Sequence, residues 1–302
     1  MNTSPQGKGT DLPRGVGHSG LRQVSLARLV EFAVVPKREL GQHFLIDDNI
    51  LRLVLERLEC RPDDVVLEIG AGLGVLTRAL AELAAFVHAY EVDRSLEAPL
   101  AATLEGKENV RVYFEDVLGA SLEELEPPPT LCASNLPYSV AGAFLVEALR
   151  RLAKVRRYCV MVQREVAERM AARPGTKAYG ILAVWVQLYA DIVQLRPLSR
   201  SIFYPQPNVD SSFVVLERKA PERLPRCAPD DLKTVLHAAF GQRRKTVANA
   251  LAAGLGLSRG EVTQMLSDLG ISREERAERL PPEAFSALAK HWHSCERSAK
   301  RA

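Results

Sequence analysis

The run Ser134-Asn135-Leu136-Pro137-Tyr138 sets an amide, a proline and an aromatic ring in succession. That combination suits chemistry on an exocyclic amine. Such a nitrogen is a poor nucleophile because its lone pair is delocalised into the ring it hangs from. Two acceptors, the Asn135 side-chain oxygen and the Leu136 carbonyl, can hold its two N–H groups. They draw the nitrogen toward sp3 geometry and aim its lone pair at an electrophile. Tyr138 would stack on the base, and an extruded base is the usual arrangement for chemistry on nucleobases. Taken alone, the same run is also compatible with a proline-containing loop and a packing tyrosine.

A second cluster lies upstream, in Val65-Val66-Leu67-Glu68-Ile69-Gly70-Ala71-Gly72-Leu73-Gly74. A glycine turn between a strand and its helix lets the backbone approach a ligand closely. The dinucleotide fingerprint G-x-G-x-x-G needs its third glycine at position 75; Val75 stands there and the glycine comes one residue early. Glu91 follows Gly70 at the spacing where doubly wound folds place an acid on ribose hydroxyls. Asp116 ends the next strand and has the acceptors for an adenine amino group. Each carboxylate by itself reads as surface charge. In series at strand ends they point to an adenosine-bearing cofactor without a pyrophosphate, which suggests S-adenosylmethionine.

These residues need a frame. Val65–Ile69, Phe86–Glu91, Val110–Phe114, Thr130–Ser134 and Tyr158–Gln163 read as strands, with a helical stretch over Val75–Ala85 and others between them. This β-α-β alternation predicts a mainly parallel sheet covered on both faces. Ala190–Leu195 and Ser211–Leu216 have no helix between them, which predicts an antiparallel edge. After Arg218, the segment 219–225 has the proline and charge content of a linker. Helices are expected over Asp231–Phe240 and Thr246–Leu255, after the capping-box signatures Ser258-x-x-Glu261 and Ser272-x-x-Glu275, and from Pro282. The expected organisation is a flexible extension over 1–36, an α/β doubly wound, Rossmann-like domain over 37–218 and an all-helical domain over 226–302.

The 302 residues are 47% hydrophobic and 25% charged, which excludes wholesale disorder, collagen and a coiled-coil rod. No apolar run is long enough for a transmembrane helix. The polar, glycine-rich N-terminus lacks the apolar core of a secretory signal. Five cysteines, widely spaced and without C-x-x-C, fit reduced thiols in a cytoplasm and argue against zinc or disulfides. No metal site is expected. The net charge of +3 divides unevenly, as +3 over 1–40, −6 over 41–217 and +6 over 218–302. That suggests catalysis in the centre and polyanion contact at the ends.

Six motifs together resemble the ribosomal RNA adenine dimethyltransferase family. They are Leu40-Gly-Gln-His-Phe-Leu45, Glu68-Ile-Gly-Ala-Gly72, Asn135-Leu-Pro-Tyr138, Thr176-Lys-Ala-Tyr-Gly180, Phe203-Tyr-Pro-Gln-Pro-Asn-Val-Asp-Ser211 and Gln242-Arg-Arg-Lys-Thr246. The resemblance runs from about Lys37 to Leu288 and implies methylation of adenine N6 in RNA with S-adenosylmethionine. It implies that His43, Leu45, Gly70, Gly72, Glu91, Asp116 and Asn135 line the cofactor, and that Phe203 faces Tyr138 across the target base. Position 43 is often Asn in relatives. Leu136 in the catalytic motif and Phe240-Gly-Gln-Arg-Arg-Lys-Thr-Val-Ala-Asn249 resemble the small-subunit branch of the family rather than the macrolide-resistance branch. The implied partner is small-subunit rRNA within a pre-ribosomal small subunit, and the implied state is a monomer. Arg243, Arg244 and Lys245, a basic run before a helix, are the expected phosphate contacts. The alternatives are a non-catalytic RNA-binding assembly or transcription factor on the same fold and, more distantly, a nicotinamide oxidoreductase.

Overall fold

The computed structural model describes residues 21–242 and 244–299. Helix α1 (Leu21–Glu31), the two-residue strand β1 (Phe44–Leu45) and helix α2 (Asp48–Leu58) come first. Then β2 (Val65–Ile69), α3 (Val75–Ala81), β3 (Phe86–Tyr90), α4 (Glu97–Thr103) and β4 (Val110–Tyr113) form two β-α-β units. They are followed by β5 (Leu131–Asn135), α5 (Ala141–Arg151), β6 (Arg157–Gln163), α6 (Arg164–Met170), α7 (Ile181–Tyr189), β7 (Ala190–Leu198), the two-residue β8 (Phe203–Tyr204) and β9 (Ser211–Arg218).

The main sheet has the order β4-β3-β2-β5-β6-β9-β7. Its first five strands are parallel, and β9 runs antiparallel to both β6 and β7. The antiparallel pair is where the sequence places it, with β7 at the edge and β9 inside. All five residues of β2 are buried, as expected of a central parallel strand covered on both faces. The chain winds one way from β2 to β4 and the other way from β5 to β6. The carboxyl ends of β2 and β5 therefore flank the switch point where doubly wound sheets bind ligands.

The expectation of a flexible extension over 1–36 needs correction for its second half. Residues 21–31 are helix α1, while residues 1–20 lie outside the described residues. Helix α1 is held by tertiary contacts that its own sequence does not announce. Leu29 is buried with Phe44, Leu73 and Leu96. Ser25 is fully buried and donates its hydroxyl to the Leu45 carbonyl at 3.2 Å.

Helices α8 (Pro229–Gly241), α9 (Val247–Leu255), α10 (Arg259–Asp268) and α11 (Pro282–Ala299) form the C-terminal segment. The Ser258–Glu261 capping box forms, with the Glu261 amide donating to Ser258 Oγ at 3.2 Å and the Ser258 amide to the Glu261 carboxylate at 2.8 Å. The one expected at Ser272 does not open a helix: residues 273–274 are a turn, and a single 3-10 turn follows at Ala277–Arg279. The Glu275 carbonyl instead accepts from the Val247 amide at 2.7 Å, tying this turn to the start of α9. The segment expected as a linker is fastened, by the Lys219 amide to the Tyr189 carbonyl (2.9 Å) and by Arg223 to Asp191 (2.7 and 3.0 Å).

One apolar core runs from the sheet into the C-terminal helices, taking in Tyr158, Trp185, Leu236 and Phe285. Tyr179 of the Thr176–Gly180 motif is fully buried and donates its hydroxyl to the Leu280 carbonyl at 2.9 Å. Its ring packs on Phe240, which packs on Phe285. That motif thus clasps the helical segment to the sheet.

Candidate functional site

The cavity at the switch point is walled by His43, Leu45, Glu68, Gly70, Gly72, Glu91, Asn135, Leu136 and Tyr138, among others. Eight of these nine are residues that the sequence singles out; Glu68 is the addition.

Asn135 ends β5. Its side-chain Nδ2 donates to the His43 carbonyl at 2.7 Å. An asparagine amide is oriented by its hydrogen-bond network, and this bond commits the nitrogen and leaves Oδ1 as the acceptor. The Leu136 amide donates to the Met161 carbonyl of β6 at 3.0 Å, which holds the backbone of the next acceptor. Tyr138 shares a 2.7 Å hydrogen bond with the Ser211 hydroxyl. Its ring lies 5.2 Å from that of His43, tilted by 36°. His43 Nδ1 is 2.6 Å from the Pro205 carbonyl. The first, third and fifth of the six sequence motifs therefore meet at one ledge.

The glycine turn packs against that ledge. Gly70 has φ +77°, and a Cβ there would come within 3.0 Å of the Pro137 ring. Gly74 has φ +78° and caps α3; a Cβ there would meet Leu100 of α4 at 2.6 Å. The departure from the dinucleotide spacing thus coincides with the close approach of α4. The amides of Gly70 and Ala71 both donate to the Tyr90 carbonyl, at 2.8 and 3.0 Å.

Glu91 is buried just beyond β3. Its Oε2 accepts from the Gly72 amide at 2.8 Å and its Oε1 from the Asp93 amide at 2.9 Å. Burial raises its pKa, against the opposing pull of these backbone donors. Each carboxylate oxygen keeps a further lone pair for a ligand hydroxyl. Asp93 would also be raised by burial, but Lys37 (2.7 Å), Ser95 and Gln42 (2.8 Å) outweigh that and hold it at about 2. This network ties the segment before β1 to the end of β3.

Two wall residues escape the sequence reading. Ser25, on α1, has no local signal because the helix is placed by tertiary contact. Glu68 has one: it is a carboxylate in the middle of an apolar strand. It is 1% exposed, and its Oε2 has no hydrogen-bond partner. Burial pushes its pKa up to about 8, with Glu91 adding to the rise. The Thr77 hydroxyl is close enough to oppose this, yet it too lacks a partner with hydrogen-bond geometry.

Two residues expected at the cavity, Asp116 and Phe203, are placed elsewhere. Asp116 is exposed after β4, outside the cavity wall, and caps its own turn by accepting from the Leu118 amide at 3.0 Å. Phe203, expected across from Tyr138, is instead 1% exposed in the apolar core. The β1–β8 ribbon pairs it with Leu45 and pairs Tyr204 with Phe44, and strand alternation turns Phe203 inward and leaves Tyr204 46% exposed. Arg243 lies outside the described residues. Arg244 and Lys245, expected as phosphate contacts, are exposed just before Thr246, the N-cap of α9.

The cavity suits an adenosine-bearing sulfonium better than a dinucleotide. Its wall offers two carboxyl groups, of which Glu91 keeps spare acceptors beside the glycine turn, and among the described residues no lysine or arginine for a pyrophosphate.

The family model for ribosomal RNA adenine dimethylase matches residues 35–293. A ribosomal RNA small subunit methyltransferase A from Streptomyces griseus is 40% identical over 264 residues, covering 85% of this chain and 90% of that protein. Its namesake from Rubrobacter xylanophilus is 42% identical over 256 residues, 84% of this chain and 94% of that protein. Among solved structures, the 23S rRNA methyltransferase ErmE is 27% identical with a TM-score of 0.58, covering 82% of this chain and 98% of that one. A dimethyladenosine transferase from Plasmodium falciparum shares the fold, with a TM-score of 0.66 at 24% identity over 82% of this chain and 96% of that one.

Proposed function

The chain belongs to the ribosomal RNA adenine dimethylase family, and on that premise we propose that the cavity serves dimethylation of N6 on two adjacent adenines in a hairpin near the 3′ end of small-subunit rRNA. The methyl donor is S-adenosylmethionine. When bound, it supplies a methyl group already activated by the sulfonium charge. Glu91 holds the ribose hydroxyls, the turn from Gly70 to Gly74 admits the cofactor against the backbone, and Leu45 supplies apolar wall. Asn135 Oδ1 and the Leu136 carbonyl accept the two N–H groups of the target amine, and Tyr138 stacks on the base.

The observation that carries this reading is the 2.7 Å bond from Asn135 Nδ2 to the His43 carbonyl. It leaves an oxygen, the atom that an amine nucleophile requires, as the free end of the amide. A non-catalytic RNA-binding factor needs no such arrangement beside a ribose-type acid. We assign the substrate to a pre-ribosomal small subunit, the compartment to the cytoplasm and the working state to a monomer. Among the described residues no helix is long and apolar enough to cross a membrane. Labelled methyl transfer from S-adenosylmethionine to unmethylated small subunits is the test. Transfer by the wild type and none by Asn135→Ala supports the reading; binding of the subunit without transfer by the wild type overturns it in favour of the non-catalytic factor.

A further inference from the structure

Glu68 is a wall residue whose chemistry the reaction above leaves unused. Its carboxyl is buried, borders the cavity and has an oxygen without a hydrogen-bond partner. A buried carboxylate without a partner is costly, so the group stays protonated until a positive charge arrives. Among the described residues no lysine or arginine does so from the cavity wall: the titratable neighbours are Glu91 after β3, Cys132 on β5, and His43 and Tyr138 at the rim. Lys37 is engaged by Asp93 at 2.7 Å. Burial makes the charged form of Glu68 hard to hold, the Thr77 hydroxyl opposes this only in part, and Glu91 adds to the cost. The balancing charge is therefore left to the ligand.

S-adenosylmethionine brings it. Its ammonium and carboxylate offset one another and its sulfonium does not. S-adenosylhomocysteine, left after methyl transfer, has lost the sulfonium. Resting on the reading that this cavity holds S-adenosylmethionine, we infer that Glu68 is the counter-ion that distinguishes the charged methyl donor from the neutral product, losing its proton to solvent when the donor binds and keeping it when the product binds. No bond to Glu68 other than the O–H is broken, and one proton leaves for each donor bound. The product is thereby held less tightly than the donor, which favours exchange between the successive methyl transfers that dimethylation requires.

The test is calorimetry of the full chain with each ligand at about pH 6.5, where the α-amino group of both ligands is protonated. It is done in buffers of different ionisation enthalpy, so that the dependence of heat on buffer counts protons. The expected result is about one proton released with S-adenosylmethionine and none with S-adenosylhomocysteine. Donor affinity should fall up to about tenfold for each pH unit of acidification, while product affinity stays flat. Glu68→Gln should abolish the release and bring the two affinities together, a loss of about tenfold or more in preference. Binding of both ligands with no proton released, equal release with both, or release that survives in Glu68→Gln overturns the inference. If neither ligand binds the wild type, the cofactor reading itself falls. Circular dichroism checks that the variant folds; if it does not, the wild-type proton counts decide alone.

Discussion

The Gly72 amide donates to Glu91 Oε2 at 2.8 Å, so the turn after β2 and the acid after β3 form one unit. Two sequence features that look like separate ligand contacts thereby position each other. The turn sets which lone pairs of Glu91 remain for a ligand, and Glu91 satisfies a backbone donor that the turn would otherwise leave buried. The same carboxylate takes the Asp93 amide, and Asp93 reaches Lys37 and Gln42 ahead of β1. One acid thus joins three segments of the cofactor wall.

Glu91→Ala should weaken S-adenosylmethionine binding by about tenfold or more, since hydrogen bonds to a charged group are each worth roughly 1.5–3 kcal/mol. Because the Gly72 and Asp93 amides also lose their acceptor, Glu91→Gln, which keeps one oxygen, should lose less than Glu91→Ala. Calorimetry on folded variants gives the ranking, and unchanged affinity in Glu91→Ala would remove this residue from the site.

Gly70→Ala should harm both stability and turnover. The positive φ costs an alanine about 1–2 kcal/mol, and the new methyl presses on the Pro137 ring beside Asn135. Gly106 is the control: its φ is also +77°, yet nothing lies within 4 Å of a Cβ there. Gly106→Ala should lower the melting temperature by a similar strain and leave methyl transfer as it was. Equal kinetic losses in the two variants would count against coupling of the turn to the catalytic loop.

What the sequence reveals and what it hides follow the range of the interactions. Strands β2, β5 and β6 are legible because burial on both faces writes an apolar run into each one. Asn135, Tyr138 and Glu91 are legible because they sit at strand ends, where the topology brings ligand groups together. Helix α1 is not, since Leu29 gains its partners only when Phe44, Leu73 and Leu96 are folded beneath it. The inward turn of Phe203 depends on its pairing with Leu45, far away in the chain. The turn after Ser272 is tied to the start of α9 by the Val247 amide on the Glu275 carbonyl, a contact its signature does not contain.

Asp64 gives the sheet an acid-sensitive fastening. It is buried, and its carboxylate accepts from Arg156 (2.5 and 2.8 Å), Thr130 (2.7 Å) and the Arg61 amide (2.7 Å). Burial would raise its pKa, but these donors prevail and hold it at about 2. A depressed carboxyl stabilises the fold above its unfolded pKa, near 4, and that stability is lost as pH falls toward 2. Discounted for the exposure of Arg156, the contribution is of order 1–2 kcal/mol. Asp64→Asn should be less stable near neutrality and show a flatter fall between about pH 5 and pH 2. Urea midpoints across that range check this, and parallel curves for the two proteins would refute it.

Asn135→Ala should abolish methyl transfer while leaving RNA affinity mostly intact, since that affinity comes largely from phosphate contacts. Asn135→Asp separates acceptor from orientation. It keeps oxygens but cannot donate to the His43 carbonyl, so turnover should also collapse. Near-normal transfer by Asn135→Asp would show that the bond to His43 is dispensable.

The basic run before α9 is the last element to place. Arg244 and Lys245 are exposed, and Thr246 behind them caps the helix by accepting from the Asn249 amide at 3.4 Å. The helix dipole does not favour cations at this end, so their presence asks for an external anion. A phosphate backbone supplies one, since arginine binds phosphate bidentately. Packing against the sheet is the competing explanation, but Arg244 and Lys245 are exposed, while Tyr179, Phe240 and Phe285 and the Lys233–Glu147 and Arg150–Asp230 pairs are among the side chains that join the two parts of the chain. Replacing Arg243, Arg244 and Lys245 with Ala should weaken binding to the unmethylated small subunit and reduce the slope of log affinity against log salt by up to about 3, because fewer counterions are released. Cofactor affinity and melting temperature should hardly move. Identical salt slopes for the wild type and the triple variant would exclude a phosphate role, and a large fall in melting temperature would assign the run to packing instead.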